Sequence, residues 1–384
     1  MIENAVIWVN REKLPFERTA GLSVLERQLH TLKRAGLKRV WIAGRRPSEE
    51  RLAALRPPAG LEVNWAARRG DEELSFEPPY LAISGDYFIR EETLRYVAGA
   101  GYPVHVSLHD ASDVSVIQVI PFRTEDAAAF RKQPLPDGST VLLQLPMDEG
   151  PVQDWLLSLG FKSQDGFMAR NFDRYISLAF TRAIIDRPVS PNQMTVLSSI
   201  IGLLGTFCFL APGAAAGMVG AALVWLHSVL DGCDGELARI RFQESDFGAD
   251  IDFWGDNLVH ISLFACLALG FIRAGSRPAA LVLGLAAGAG IIGSAARAYA
   301  RKLSSLRARR EGLPDPEENA DSLIQKIEQF LAQRDFIYLL LVMAGFGWTY
   351  YFLWAGAIGA PLFLAVTLLP RVQSSSAVSQ SQTT

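Results

Sequence analysis

Asp231-Gly-Cys-Asp234-Gly235-Glu-Leu-Ala238-Arg239 and, eight residues on, Gly248-Ala-Asp-Ile-Asp252-Phe-Trp-Gly-Asp256 stand near the middle of this 384-residue chain. Together they place four aspartates, Asp231, Asp234, Asp252 and Asp256, at the ends of two strongly apolar segments. An aspartate deep in a bilayer helix costs about 2.5–3.5 kcal/mol on insertion scales, so a group of them requires a partner. A divalent cation serves best, because hard cations take carboxylate oxygens and share them with substrate phosphates. Residues three, four and seven apart share one face of an α-helix. Asp231, Asp234, Gly235 and Ala238 keep that spacing on the first segment, and Gly248, Asp252 and Asp256 keep steps of four on the second. Two facing helices would focus the four carboxylates on one pocket, holding one or two Mg²⁺ ions, or Mn²⁺ in their place. Small residues at Gly235, Ala238 and Gly248 would let a ligand or a neighbouring backbone approach closely. The competing reading is two solvated helix ends joined by a polar turn, and regular spacing in so apolar a context speaks against it.

The pattern Asp-x2-Asp-Gly-x2-Ala-Arg-x8-Gly-x3-Asp-x3-Asp resembles the signature of the CDP-alcohol phosphotransferase family, with every signature position matched. Ser190-Pro191-Asn192-Gln-Met-Thr195, ahead of the first long apolar run, is similar to that family's Pro-Asn-x-x-Thr segment. The resemblance covers roughly Asn171 to Arg371. It implies a six-helix integral membrane enzyme, a homodimer, in which an acceptor hydroxyl attacks a CDP-linked alcohol and displaces CMP. It also implies a donor site drawn from Pro191, Asn192, Thr195, Asp231, Gly235, Ala238, Arg239 and Gly248, with Asp256 as general base. For Arg239, a phosphate contact and an ion pair with a neighbouring acid stand equally.

Acceptor residues are less defined. His227 lies one turn before Asp231 and His260 one turn after Asp256, on the same faces. They suit the lining of an acceptor pocket, a hydrogen bond to a metal-ligating carboxylate, or plain packing. Arg297 and Arg301 suit an anionic acceptor, although basic residues on the cytoplasmic side are expected in any case. Asn257 follows the last aspartate where many relatives carry a basic residue, so the acceptor stays open between a lipid and a polar inositol-type alcohol.

The rest of the composition describes a protein in two halves. Hydrophobic residues make up 49% and mean hydropathy is +0.17, too apolar for a typical soluble enzyme and too polar for a bundle alone. The net charge of −3 gives no reason to expect a nucleic-acid partner. The start, Met-Ile-Glu-Asn-Ala-Val-Ile-Trp-Val-Asn, lacks a basic leader and a long apolar stretch, so no signal peptide is expected. Cys208, Cys233 and Cys266 fall in apolar segments and keep neither a disulfide framework nor a zinc spacing.

Residues 1–166 read as a soluble α/β domain with a mostly parallel sheet. Ala5–Val9, Val40–Ala43, Leu61–Trp65, Tyr80–Ser84 and Val114–Ile120 are short apolar runs alternating with helical patterns, the best of them Leu22–Ala35 closed by Gly36. The segment Gly21–Gly36 resembles the helix that follows the phosphate loop of sugar nucleotidyltransferases. Ile83-Ser-Gly-Asp86 is similar to the strand end where that family places a metal-binding aspartate. The glycine-rich loop that wraps nucleotide phosphates is missing: Val9 runs into Asn10-Arg-Glu-Lys13-Leu-Pro15, with no glycine before Gly21. A nucleotidyltransferase-like domain without nucleotidyl transfer is therefore expected. The fusion resembles the bifunctional inositol-phosphate cytidylyltransferase/di-inositol-phosphate phosphate synthases, whose soluble half makes the CDP-inositol that the membrane half consumes.

Beyond it, residues 167–190 read as an amphipathic juxtamembrane helix, with Phe172, Ile176, Phe180 and Ile184 four apart. Residues 191–371 read as six spans, about Met194–Leu210, Gly213–Leu237, Phe247–Phe271, Ala279–Ala300, Phe336–Trp348 and Tyr350–Leu369. Arg239, Arg241, Arg297, Arg301, Lys302, Arg307, Arg309, Arg310 and Arg371 fall on one side of these spans, against Arg273 and Arg277 on the other. The soluble domain and the aspartates are thus expected in the cytoplasm. A stripe of Leu323, Ile324, Ile327, Phe330 and Leu331 suits an interfacial helix, and residues 372–384 read as a disordered tail. The expected protein is a multi-pass phosphotransferase of phospholipid or inositol-phosphate-type synthesis. A bifunctional enzyme that also makes its CDP-alcohol is one alternative, and a carboxylate-lined cation transporter is the other.

Overall fold

The computed structural model describes residues 1–67, 76–121, 130–160, 167–211, 213–275, 277–311, 313 and 335–369. The apolar stripe between Leu323 and Leu331 and the tail 372–384 lie outside the described residues, as does Arg371. The chain divides into two units. One comprises Met1–Leu159 with Ile184–Pro188 and Ile240–Phe242, and the other comprises Gly160–Ala183, Val189–Arg239 and Gln243–Thr384.

The first unit is built on a seven-stranded, mostly parallel sheet of β1 (Asn4–Trp8), β2 (Arg39–Gly44), β3 (Glu62–Ala67), β4 (Tyr80–Ser84), β5 (Val106–His109), β6 (Ser115–Ile120) and β7 (Arg131–Pro134). Its order is β7-β5-β6-β4-β1-β2-β3, and only β6 runs antiparallel to both neighbours. The central strands are apolar throughout because helices cover both faces of such a sheet; Ala5, Val6 and Ile7 of β1 are fully buried. Helix α1 (Val24–Arg34) packs Leu25, Leu29 and Leu32 onto that core. Ser23 starts it with a capping box: Ser23 Oγ accepts from the Glu26 amide, and Glu26 Oε2 accepts from the Ser23 amide at 2.9 Å. Burial pushes the Glu26 carboxyl up, but the hydrogen bonds from Ser23 and Arg56 outweigh it and hold the group below its usual range. Three further helices, α2 (Glu49–Ala54), α3 (Glu91–Gly99) and α4 (Glu149–Ser158), complete the unit.

Two details bear on the missing phosphate loop. After β1 the chain turns through a short 3-10 segment at Leu14–Phe16, and Arg11 Nε stands 3.9 Å from Asp86 Oδ1. Gly85, just before that aspartate, leaves no room for a side chain: a Cβ there would lie 2.7 Å from the carbonyl oxygen of Trp8.

The second unit is helical. It runs through α5 (Arg174–Ile184), α6 (Pro191–Cys208), α7 (Ala214–Arg241), α8 (Asp246–Arg273), α9 (Ala280–Arg310), α10 (Phe336–Gly345) and α11 (Thr349–Leu368). Among the described residues, four helices are long and apolar enough to cross a membrane: Ala214–Arg241, Asp246–Arg273, Ala280–Ala308 and Thr349–Leu368. The sequence reading expects six. The 18-residue α6 begins with the polar run Asn192, Gln193, Thr195, and α10 has only ten residues. The break between α10 and α11 falls at Gly347, whose φ of +69° suits glycine. Small residues bring the helices into close contact. A Cβ on Gly202 of α6 would meet His227 of α7 at 2.8 Å and Val259 of α8 at 2.9 Å, and one on Gly290 of α9 would meet the Ala360–Pro361 backbone of α11 at 2.5 Å.

Candidate active site

Helices α6, α7 and α8 carry the site. Ser190 caps α6 with its own capping box to Gln193, and Pro191 occupies the first turn, where its missing N–H leaves no unsatisfied donor. Ser245 Oγ caps α8 by accepting from the Gly248 amide at 3.0 Å.

Oxygens of Asp231, Asp252 and Asp256 all lie within 4.8 Å of one another. Asp231 is buried and the other two are half-buried. Asp252 Oδ1 is buried without a hydrogen-bond partner among the described residues. Three carboxylates this close repel unless protons or a cation intervene, and a buried carboxylate oxygen without a partner is costly. The donor set is all hard oxygen with no thiol or imidazole among the three, so these residues fit a divalent cation of the Mg²⁺ or Mn²⁺ kind. The fourth expected ligand, Asp234, stands beside this trio and accepts at Oδ2 from Thr195 Oγ1. His227, buried on α7, sets Nε2 3.5 Å from Asp256 Oδ1.

On one side of this group is a cavity of about 140 Å³. Seven of the eight expected donor residues line it, namely Pro191, Asn192, Thr195, Gly235, Ala238, Arg239 and Gly248, along with Asp234 and Asp252. Asp231 is absent from this lining and sits with the carboxylate trio. Two of the small positions are closely approached by side chains. A Cβ on Gly248 would lie 2.8 Å from Asn192 Oδ1, and one on Gly235 would lie 3.1 Å from Arg239 Nη1. Arg239 also donates through Nη2 to the Gly160 carbonyl at 3.4 Å.

A larger cavity of about 500 Å³ has Asp256 and His260 in its lining. Arg297 and Arg301 do not line it; Arg297 is exposed on α9. Two features escape a reading by motif. Glu236, fully buried on the far face of α7, accepts from Arg174 Nη1 at 2.7 Å, Ser177 Oγ at 2.6 Å and Thr181 Oγ1 at 2.6 Å, all on α5. Lys302 Nζ pairs with Asp250 Oδ1 at 2.7 Å, tying α9 to α8 beside the site. The signal for the first lay in Arg174, Ser177 and Thr181, which recur at helical steps of three and four.

Residues 188–362 match the model of the CDP-alcohol phosphatidyltransferase family. A protein of Rubrobacter xylanophilus described as a bifunctional IPC transferase and DIPP synthase is 36% identical over 139 residues, covering 35% of this chain and 30% of that protein. One of Archaeoglobus fulgidus with the same description is 36% identical over 107 residues, 28% of this chain and 21% of that one. The match thus spans less than a third of the length of these curated relatives. Among solved structures, Mycobacterium tuberculosis phosphatidylinositol phosphate synthase with CDP-DAG bound is similar at 19% identity and a TM-score of 0.33, covering 50% of this chain and 88% of that one. The same synthase in complex with manganese and citrate gives 18% identity, a TM-score of 0.29 and coverage of 50% and 88%.

Proposed function

We propose, from the premise that its C-terminal half is a CDP-alcohol phosphatidyltransferase family domain, that this protein transfers a substituted phosphate group from a CDP-alcohol to an acceptor hydroxyl and releases CMP. The observation that carries this is the carboxylate trio of Asp231, Asp252 and Asp256 placed directly beside a pocket built from Pro191, Asn192, Thr195, Gly235, Ala238 and Gly248. A bound divalent cation, Mg²⁺ or Mn²⁺ and one ion or two, would neutralise the donor's diphosphate and the charge growing on CMP. Asp231, Asp252 and Asp256 would hold it. Asp234, oriented by Thr195, would join them or bind the donor directly. Gly235, Ala238 and Gly248 leave room for the cytidine, and Arg239 is available to the phosphates from the pocket wall. Asp256 would take the proton of the acceptor hydroxyl, with His227 steadying its carboxylate.

The surrounding assignments belong to the same reading. Helices α6 and α10 complete a six-helix membrane bundle, the chain pairs as a homodimer, and the arginine-rich helix ends put the site and the N-terminal domain in the cytoplasm. Residues 1–166 form a nucleotidyltransferase-like domain without transfer activity, since Arg11 stands beside Asp86 where such an enzyme needs a phosphate loop and a metal. The relatives' description as bifunctional favours a second reading, in which the front half makes the CDP-alcohol.

The test uses purified full-length protein in detergent with Mg²⁺, a panel of CDP-alcohols and a panel of acceptors. CMP and a phosphodiester product of matching mass are expected, with loss on chelation and return on adding Mg²⁺. Absence of CMP with every pair overturns the reading and leaves cation transport as the competitor. Pyrophosphate released from CTP by the same protein would establish the bifunctional reading.

Gly248→Ala separates the donor pocket from the fold. Its new Cβ meets only the movable end of Asn192 and the Ser245 hydroxyl, so the helices survive while Asn192 is displaced. The expected result is a donor KM raised about ten-fold or more, because a lost hydrogen bond to a charged ligand is worth about 1.5–3 kcal/mol. An unchanged donor KM would remove Asn192 and Gly248 from the donor site.

A further inference from the structure

We infer that the acceptor is an uncharged alcohol with a large apolar body, a lipid alcohol rather than a sugar phosphate, and that the 500 Å³ cavity beyond Asp256 receives that body. The inference rests on the phosphotransfer reading and deepens it.

Position comes first. Along α8 the smaller pocket is lined up to Asp252, and the larger cavity begins at Phe253 and Asp256 and continues through His260 to Phe264. In phosphoryl transfer the attacking and leaving oxygens lie roughly in line on opposite sides of phosphorus. With CMP departing toward the smaller pocket, the hydroxyl arrives from the larger one, past Asp256. The acceptor oxygen forms the new bond to phosphorus as its proton passes to the Asp256 carboxylate. The bridging P–O bond breaks, and CMP leaves with that electron pair.

The lining then selects the chemistry. Phe253, Phe264, Phe336, Phe352 and Phe363 form aromatic walls, and no Lys or Arg stands among the described lining residues. Besides Asp256 the polar side chains are Asn257, His260 and Ser294. Asn257 Nδ2 donates to the Phe253 carbonyl at 2.8 Å and Ser294 Oγ donates to the Ile291 carbonyl at 3.0 Å, so both are directed at their own helices. Polar recognition is thus concentrated at Asp256 and His260, enough for one hydroxyl. Among the described lining residues no Lys or Arg is present to receive an anionic head group, which would stand between aromatic walls. Leu339, Ala355 and Gly359 on the lining are exposed on the flank of the bundle, which gives a bilayer-dissolved molecule a way in.

Gly359 provides the test, because a Cβ there meets nothing within 4 Å and leucine is the better helix former. Full-length protein in detergent with Mg²⁺ is given CDP-inositol, CDP-glycerol or CDP-diacylglycerol as donor, and dioctanoylglycerol or inositol 1-phosphate as acceptor. CMP release is expected to be fastest with dioctanoylglycerol. Gly359→Leu is expected to lower kcat/KM for it by about 10-fold or more, a hydrophobic pocket responding by that order to a methylene it can no longer fit, while the donor KM holds. Fastest release with inositol 1-phosphate, or an unchanged acceptor KM in Gly359→Leu, overturns the acceptor assignment and leaves phosphotransfer standing. No CMP from any pair overturns phosphotransfer and this assignment together.

Discussion

An Asp256→Asn protein is expected to bind the CDP-alcohol normally and to release CMP about 10²–10⁴-fold more slowly, the range that a positioned general base contributes. Asparagine keeps the size of the side chain and one oxygen, but it cannot accept the acceptor's proton. Two facts single out Asp256 within the trio. Of the three it is the one in the lining of the larger cavity, from which the hydroxyl would come, and its Oδ1 stands 3.5 Å from His227 Nε2. Asp252 differs: it lines the smaller pocket and keeps an oxygen without a hydrogen-bond partner among the described residues, which suits the proposed role of metal ligand. Asp252→Asn should therefore raise the Mg²⁺ concentration needed for half-maximal activity, while Asp256→Asn should lower kcat at saturating Mg²⁺. A full recovery of Asp256→Asn by added Mg²⁺ would make it a ligand only, and wild-type turnover would remove it from the chemistry. The pair of variants separates two roles that a single loss of activity would confuse.

Most of the site could be read from the chain because helical spacing is a local property. Steps of three and four dictated that Asp231 shares a face with Asp234, and that Gly248, Asp252 and Asp256 share another. What spacing could not decide was the rotamer of Asp234, which depends on Thr195 from a different helix. Arg297 and Arg301 illustrate the same limit, since proximity in sequence to a helix end does not say which face of α9 meets the cavity. In the sheet, the apolar runs at Ala5–Val9 and Tyr80–Ser84 became β1 and β4 almost residue for residue. Strand β7, Arg-Lys-Gln-Pro, offered no such run. It is an edge strand, largely exposed, where charge and proline are tolerated and there is no apolar pattern to detect.

The junction helix turns a polar stripe inward, a partner choice that the four-residue spacing of Phe172, Ile176, Phe180 and Ile184 does not disclose. Phe172, Tyr175 and Phe180 are exposed at 53%, 64% and 42%, whereas Arg174, Ser177 and Thr181 are buried. The polar stripe faces inward because Glu236 on α7 accepts hydrogen bonds from all three, and the apolar side chains are left exposed. Arg174 and Glu236 have side-chain exposures of 9% and 0%, so neither charge can turn to water if its partner is lost. Removing one member of such a pair costs about 3–5 kcal/mol, mostly the penalty of leaving the other buried and uncompensated. Glu236→Ala is expected to lower the thermal midpoint in detergent by about 10 °C or more. Glu236→Gln, which keeps one of the two acceptor oxygens but loses the charge, should fall between it and wild type. The double variant Arg174→Leu with Glu236→Leu should recover much of the loss, since apolar replacements of a buried pair are often close to neutral. If the two single changes and the double change shift the midpoint equally, the clamp is not electrostatic. If none shifts it, α5 does not depend on Glu236 at all. Because Glu236 sits two residues from Asp234, a surviving but loosened variant should also lose activity through displacement of α7.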